Sequence, residues 1–302
     1  RGEIERGQVV VVTKAGYLQG ENLELSRQRK MQKRPFPDLV EYDEGLEHCI
    51  HPEFLEEQLT RSLQRLRLAR IDCYLLHNPE YYLRWAARNM LAPTGAKHEF
   101  LRRIRLAFDY LESEVQAGRI GCYGISSNTF HKAATDFEYI SLAEVWQIAC
   151  SVSTQHHFRV IEMPMNLLEP EALTRIQPPE GFSVLALAAE KGLAVLINRP
   201  LNAIVNDRLV RLAENVYKKS AAREATAFCE RVRRIDPDWQ VSSLSRLALR
   251  ALRSTAGISS VLVGMRRENY VAEVLSELAL PCEKRTRLES WQKIAGAWEA
   301  GL

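Results

Sequence analysis

Apolar residues recur along the chain in two alternating patterns. Residues 8–14 (QVVVVTK) form a short β-branched run of the kind buried on both faces of a parallel sheet. After a long polar stretch, residues 51–68 set Phe54, Leu55, Leu59, Leu63 and Leu66 at helical spacing with charges between them. Residues 71–77 (IDCYLLH) return to a continuous apolar run that ends on a histidine, and residues 100–117 form an amphipathic helix stopped by Gly118. The alternation predicts further strands at 120–126, 158–163, 193–198 and 259–264. Helices are predicted at 141–151, at 182–191 before Gly192, at 241–255 before Gly257, and at 268–278 and 286–300. The polar run 207–234 also reads as helical.

Repeated β then α requires parallel strands joined by right-handed helical crossovers. Six strands suit either an open doubly wound sheet or most of an eight-stranded barrel. The strand ends favour the barrel. Each closes on a polar or special residue: Lys14; His77; Ser126 with Ser127 and Asn128; Glu162 with Asn166; Asn198 with Arg199; Gly264 with Arg266. A barrel gathers such ends around one mouth, whereas an open sheet spreads them along an edge. No GxGxxG follows the first strand, which counts against a dinucleotide-binding Rossmann domain. The expected fold is α/β, a TIM (β/α)8-type barrel with six of its eight strands readable, as a single domain over residues 1–302. Residues 18–49 read as a long loop insertion that serves as a lid or substrate wall, and residues 280–302 as a C-terminal helical segment. Tyr81, Tyr82 and Trp85 read either as lining of the same mouth or as a packed loop.

Composition narrows the classes. With 302 residues, 46% hydrophobic and 26% charged, the chain can bury a large core. Lys+Arg at 41 against Asp+Glu at 38 leaves a net charge of +3 and no basic excess to argue for nucleic acid. The one basic cluster, residues 27–34 (RQRKMQKR), reads as a solvated loop, with a phosphate patch as the alternative. Six dispersed cysteines without a CxxC pair read as small core residues of a reducing compartment. His131, His156 and His157 lack cysteine or carboxylate at ligand spacing, so no metal is expected. No apolar run approaches the ~20 residues that cross a bilayer, and no signal peptide is visible, so a cytoplasmic location is expected. The chain opens on Arg1, and its true start is expected to lie upstream.

The stretches VVVVTKAGY, IDCYLLHNPE, GRIGCYGISSNTF, FRVIEMPMNLLE, GLAVLINRPLNA and SSVLVGMRRENY resemble, in order and spacing, the aldo-keto reductases, which are NAD(P)H-dependent TIM-barrel enzymes. The resemblance runs from Gln8 to about Leu278. It implies four catalytic residues: a tyrosine acid, a lysine that lowers its pKa, an aspartate paired with the lysine, and a histidine that orients the carbonyl. Lys14 matches the lysine and His77 the histidine. Read without the family, Lys14 is an exposed lysine after a strand and His77 caps the following turn. The aspartate and tyrosine would lie upstream of the lysine strand, where this sequence has only RGEIERGQV; Tyr17 follows the lysine and falls in the wrong loop. Both the missing pair and the two missing strands are expected in one lost N-terminal segment.

The resemblance also implies cofactor contacts. Ser126, Ser127 and Asn128 resemble the pair that binds the nicotinamide carboxamide, with the extra serine leaving open which residue matches the asparagine. Glu162 stands where the family usually has a glutamine, and as a carboxylate it can accept but not donate. Asn198 replaces a frequent stacking aromatic, and Arg199 either meets the pyrophosphate or pairs with an acid such as Asp207. Gly264, Arg266 and Arg267 follow the last strand where the family binds the adenosine phosphates; guanidinium groups there favour NADPH, with NADH possible, and the bland reading is a solvated helix flank. The implied function is hydride transfer between NADPH and a small-molecule carbonyl or sugar, with no nucleic-acid or membrane partner. The chain as given is expected to be inactive for lack of the aspartate and tyrosine. Two alternatives remain: a non-catalytic nicotinamide-binding sensor or scaffold on the same barrel, and a flavodoxin-like open sheet that binds a nucleotide.

Overall fold

The computed structural model describes residues 4–179, 181–205, 208–212 and 219–299. The chain divides into two compact units, Arg1–Ile161 and Glu162–Leu302.

In the first unit a 3-10 turn at Arg6–Gln8 precedes β1 (Val12–Ala15), which starts four residues later than the apolar run suggests. Pairing sets that start. Val12 is the first residue with a partner, Cys73, while Val10 stays 76% exposed and the Val11 N–H is held by the Asp72 carboxylate at 2.6 Å. Residues 18–49 are not a plain loop. They hold the end of β2 (Tyr17–Leu18), then α1 (Glu21–Met31), β3 (Val40–Asp43) and β4 (Leu46–His48), with the three strands forming an antiparallel sheet in the order β2-β4-β3. The basic cluster largely falls on α1, where tertiary partners absorb part of its charge. Arg29 lies 4.0 Å over the Phe36 ring and pairs with Glu53, and Lys30 pairs with Glu41 and Glu47.

α2 (Pro52–Leu66) buries Phe54, Leu55 and Leu59, as its 3.6-residue period requires. The His51 side chain caps it by accepting from the Glu53 N–H at 3.3 Å. Next come β5 (Ile71–His77), α3 (Tyr81–Arg88), α4 (Pro93–Gln116), β6 (Ile120–Ser126), α5 (Leu142–Val152) and the first residues of β7 (Phe158–Pro164). The strand order is β1-β5-β6-β7, and β5 runs parallel to both β1 and β6. Phe108 packs its ring 4.9 Å from Tyr123 and 5.2 Å from Phe158, and so seals α4 onto the sheet.

The second unit continues β7 and adds α6 (Glu171–Thr174), α7 (Val184–Glu190), β8 (Ala194–Asn198), β9 (Asn202–Val205), β10 (Arg208–Arg211), α8 (Lys219–Ile235), α9 (Leu244–Arg253), β11 (Ser260–Val261), α10 (Glu268–Leu278) and α11 (Leu288–Glu299). The order β7-β8-β11 repeats the expected progression, with β11 parallel to β8. The run expected to be helical from residue 207 enters an antiparallel hairpin, β9 with β10, before α8 begins. A buried arginine ties this unit together. Arg287 donates to Asp236 at 2.6 Å, to Asp238 at 2.9 Å and to the Ser254 carbonyl at 3.0 Å.

Candidate active site

Side chains alternate faces along a strand, and residues in register on parallel neighbours share a face. Lys14 is paired with Leu75, and His77 with Ser126. His77 lies two residues beyond Leu75 on β5, so Lys14, His77 and Ser126 all project from one face of the sheet. The Lys14 Nζ donates to the Ser126 Oγ at 3.3 Å.

Behind His77 lies a second histidine that the sequence reading missed. The His48 Nε2 lies 2.7 Å from the His77 backbone carbonyl. Burial pushes the His48 pKa down to about 4, so the ring is neutral. A carbonyl can only accept, so the neutral ring carries its proton on Nε2. Gly16 explains how the histidine approaches so closely: a Cβ there would lie against the His77 carbonyl oxygen and 2.7 Å from the His48 Nε2.

Tyr17, set aside in the sequence, is brought to His77 by the turn between β1 and β2. Its ring meets His77 edge-on at 4.7 Å and also packs against His48 and Tyr81. Asn78, at φ 49, donates to the Tyr17 hydroxyl at 2.5 Å. Burial raises the Tyr17 pKa. A phenol acting as a general acid is helped by the opposite shift, and the Tyr17 ring forms a wall beside His77. Of the aromatic residues after β5, Tyr81 stacks with His48, while Tyr82 is buried beneath the Arg103 guanidinium.

The Ser126–Asn128 turn is fixed from within the same unit. Ser127 is fully buried and accepts from the Thr129 N–H at 3.0 Å. The Asn128 N–H donates to the Glu80 carboxylate at 3.0 Å, and its side chain donates to the Asn78 Oδ1 at 3.3 Å. Burial pushes the Glu80 pKa up to about 7. No spacing rule singled out Glu80; the proximity of NPE to the strand end was the only trace of it.

In the second unit Glu162 is buried and its Oε1 accepts from the Asn198 Nδ2 at 2.9 Å. The Asn198 Oδ1 is buried and has no hydrogen-bond partner among the described residues. Arg199, at φ 51, pairs with Glu169 at 2.9 Å, and Asn166 donates to the same carboxylate at 2.7 Å. Asp207, the acid suggested as its partner, lies outside the described residues. Gly264, Arg266 and Arg267 are exposed ahead of α10, with the Arg267 guanidinium 5.9 Å over the Tyr270 ring. Among the described residues no group of three or more His, Cys, Asp or Glu side chains is placed to hold a metal ion. His157 is instead engaged by Glu112 at 2.9 Å, and the His156 Nε2 lies 3.6 Å from the Cys150 Sγ. No helix among the described residues is long and apolar enough to cross a membrane.

Comparison with known proteins places this geometry in a family. No curated protein matches the sequence. Among solved structures, the holo form of the aldo-keto reductase AKR11C1 from Bacillus halodurans superposes with a TM-score of 0.54 at 19% identity, covering 98% of this chain and 75% of that one. The thermostable aldo-keto reductase Tm1743, solved in complex with the inhibitor epalrestat, gives a TM-score of 0.49 at 14% identity over 82% of this chain and 67% of that one. The sequence model of the aldo/keto reductase family matches residues 2–294. The chain therefore belongs to the aldo/keto reductase family of oxidoreductases and has its α/β fold of the TIM-barrel type.

Proposed function

We propose that Lys14 and His77 are two members of the proton-handling group of an NADPH-dependent reductase acting on a small aldehyde, ketone or sugar. The observation that carries this reading is the shared face of Lys14, His77 and Ser126, with the lysine drawn to the Ser126 hydroxyl at 3.3 Å. An ammonium in that position favours negative charge developing beside it. An imidazole N–H at the strand end can donate to a carbonyl oxygen that is gaining electrons. His48 fixes the backbone from which that imidazole projects.

The residues fit a nicotinamide dinucleotide by their donor and acceptor chemistry. The orphaned Asn198 Oδ1 is an acceptor suited to an amide N–H, and the exposed Arg266 and Arg267 before the α10 N-terminus suit a phosphate, a 2′-phosphate included. When bound, the cofactor would supply the hydride. Within the first unit, the Ser126–Asn128 turn, pinned by Glu80 and Asn78, offers polar groups of the same donor and acceptor chemistry. The family's tyrosine and aspartate have no match among residues 1–302, and the proposed turnover needs groups that play their part.

A second reading is a nicotinamide-binding sensor without turnover. It is favoured by the Asn198–Glu162 hydrogen bond, which occupies the amide where the family often stacks an aromatic. Fluorescence titration with NADPH and NADH, followed by carbonyl reduction assays on the same protein, separates the two. Nucleotide binding with turnover supports the reductase, and binding without turnover supports the sensor. If neither nucleotide binds the protein at millimolar concentration, the cofactor reading fails.

A further inference from the structure

The face that carries His77 and Ser126 also carries a pair of thiols. Cys73 and Cys122 are direct register partners on β5 and β6, four residues before His77 and Ser126 respectively. Four residues of strand span roughly 13 Å, so the thiols lie well away from the catalytic face's working end. Adjacent strands run about 4.8 Å apart, which falls inside the Cα separation of about 4.4–6.8 Å that a disulfide bridges. The two side chains also touch. The Cys122 thiol donates to the Asp72 carbonyl at 3.4 Å and is hydrogen-bonded to the Cys73 thiol. With the Cys122 proton directed at Asp72, the Cys73 S–H is the donor to the Cys122 sulfur.

The surroundings of the two sulfurs differ. Cys73 is buried, at 2% exposure, whereas Cys122 is partly open. The Cys73 hydrogen bond lowers the Cys122 pKa against its burial, and the Arg159 and Arg70 guanidinium groups act in the same direction while Asp72 opposes them. By contrast, burial pushes the Cys49 thiol up to about 12 and leaves it inert.

We propose that Cys73 and Cys122 are an oxidisable dithiol, a modification site at which a hydroperoxide converts the pair to a disulfide bridging β5 and β6. The Cys122 thiolate attacks one peroxide oxygen; an S–O bond forms, the O–O bond breaks, and the leaving oxygen departs as water or an alcohol after taking a proton. The Cys73 thiol then attacks the sulfenic sulfur; the S–S bond forms, the S–O bond breaks, and water leaves. Two thiols and one hydroperoxide thus give one disulfide, one water and one further water or alcohol.

The test is hydrogen peroxide treatment of the native full chain, followed by non-reducing peptide mapping. The expected result is a Cys73–Cys122 linked peptide that reduction separates, with free thiols falling from six to four. In the C73S variant, Cys122 should accumulate as a sulfenic acid trapped by dimedone. Should that variant not fold, the wild-type protein still decides: brief iodoacetamide labelling at neutral pH should reach Cys122 before the more exposed Cys150. Peroxide-treated protein in which Cys150 is oxidised while Cys73 and Cys122 remain free thiols would overturn the proposal.

Discussion

The His48 ring holds the backbone carbonyl of His77 at 2.7 Å and is neutral when it does so. Its folded pKa of about 4 lies below the unfolded value of 6.5, so between those pH values the unfolded chain binds the extra proton. Its contribution to stability is full above pH 6.5 and is lost as pH falls toward 4, by roughly 3 kcal/mol at the limit. His48→Gln keeps a donor for the carbonyl but does not titrate. Urea unfolding at a series of pH values should show this variant losing less stability on acidification than the parent; an unchanged pH slope would sink the idea.

Glu80 runs the other way. Its folded pKa of about 7 lies above the unfolded 4.5, so the folded state binds the extra proton between them and stability falls as pH rises through that window. The Glu80 and His48 shifts are of similar size and opposite sign, and the windows overlap from 4.5 to 6.5, so their effects there nearly cancel. Glu80→Gln, which can still accept from the Asn128 N–H, should remove the loss and leave stability rising with pH across this range. The same urea series checks it, and a variant with a slope identical to the parent would rule the buried carboxylate out as the source.

Gly16→Ala should destabilise the first unit and disturb His77 together. The added methyl meets a backbone oxygen and an immobilised ring, neither of which is the free end of a flexible chain. A cost of about 1–3 kcal/mol is expected, read from the urea midpoint, with a changed His77 imidazole shift in the NMR spectrum. A neutral substitution would show that the β1–β2 turn relaxes freely.

Lys14→Met and His77→Gln test the proposed chemistry. In a protein that turns over a carbonyl substrate, each should lower kcat by about 10²–10⁴-fold while nucleotide affinity changes little. The chain of 302 residues alone should reduce no carbonyl substrate, because it holds no match to the acid tyrosine. Robust turnover by this chain would mean that the acid had been misassigned.

Arg287→Leu leaves the buried Asp236 carboxylate without its arginine partner, with hydrogen bonds only from the Ser290 hydroxyl and the Asp238 N–H among the described residues. Removing one partner of a buried pair costs roughly 3–5 kcal/mol, so thermal unfolding of the variant should begin markedly earlier. Asp236→Asn in the same background should recover part of the loss, since it removes the stranded charge.

The order of strands and helices was legible because its signals are local. A run such as CYLL or VLVG and the spacing of Phe54, Leu55 and Leu59 each report the environment of one element. Lys14, His77 and the Ser126–Asn128 turn were legible for the same reason only as polar strand ends, and their expected roles came from the family resemblance. The helix and antiparallel sheet within residues 18–49 were not legible. α1 buries only Leu23 and Ser26, so its sequence shows little apolar period, and its charges make sense only beside Glu41, Glu47 and Glu53.

The sequence by itself determined the β/α alternation, the family and two polar strand ends, because hydrophobic period and terminal residues are properties of contiguous chain. Only the tertiary structure decided that His48 supports His77, that Tyr17 packs edge-on against His77 with its pKa raised by burial, that Glu80 pins the Asn128 turn, and that Arg199 pairs with Glu169. Each of these is a contact between residues about 30 or more positions apart, or a pKa set by burial, and neither property is carried by any short stretch of sequence.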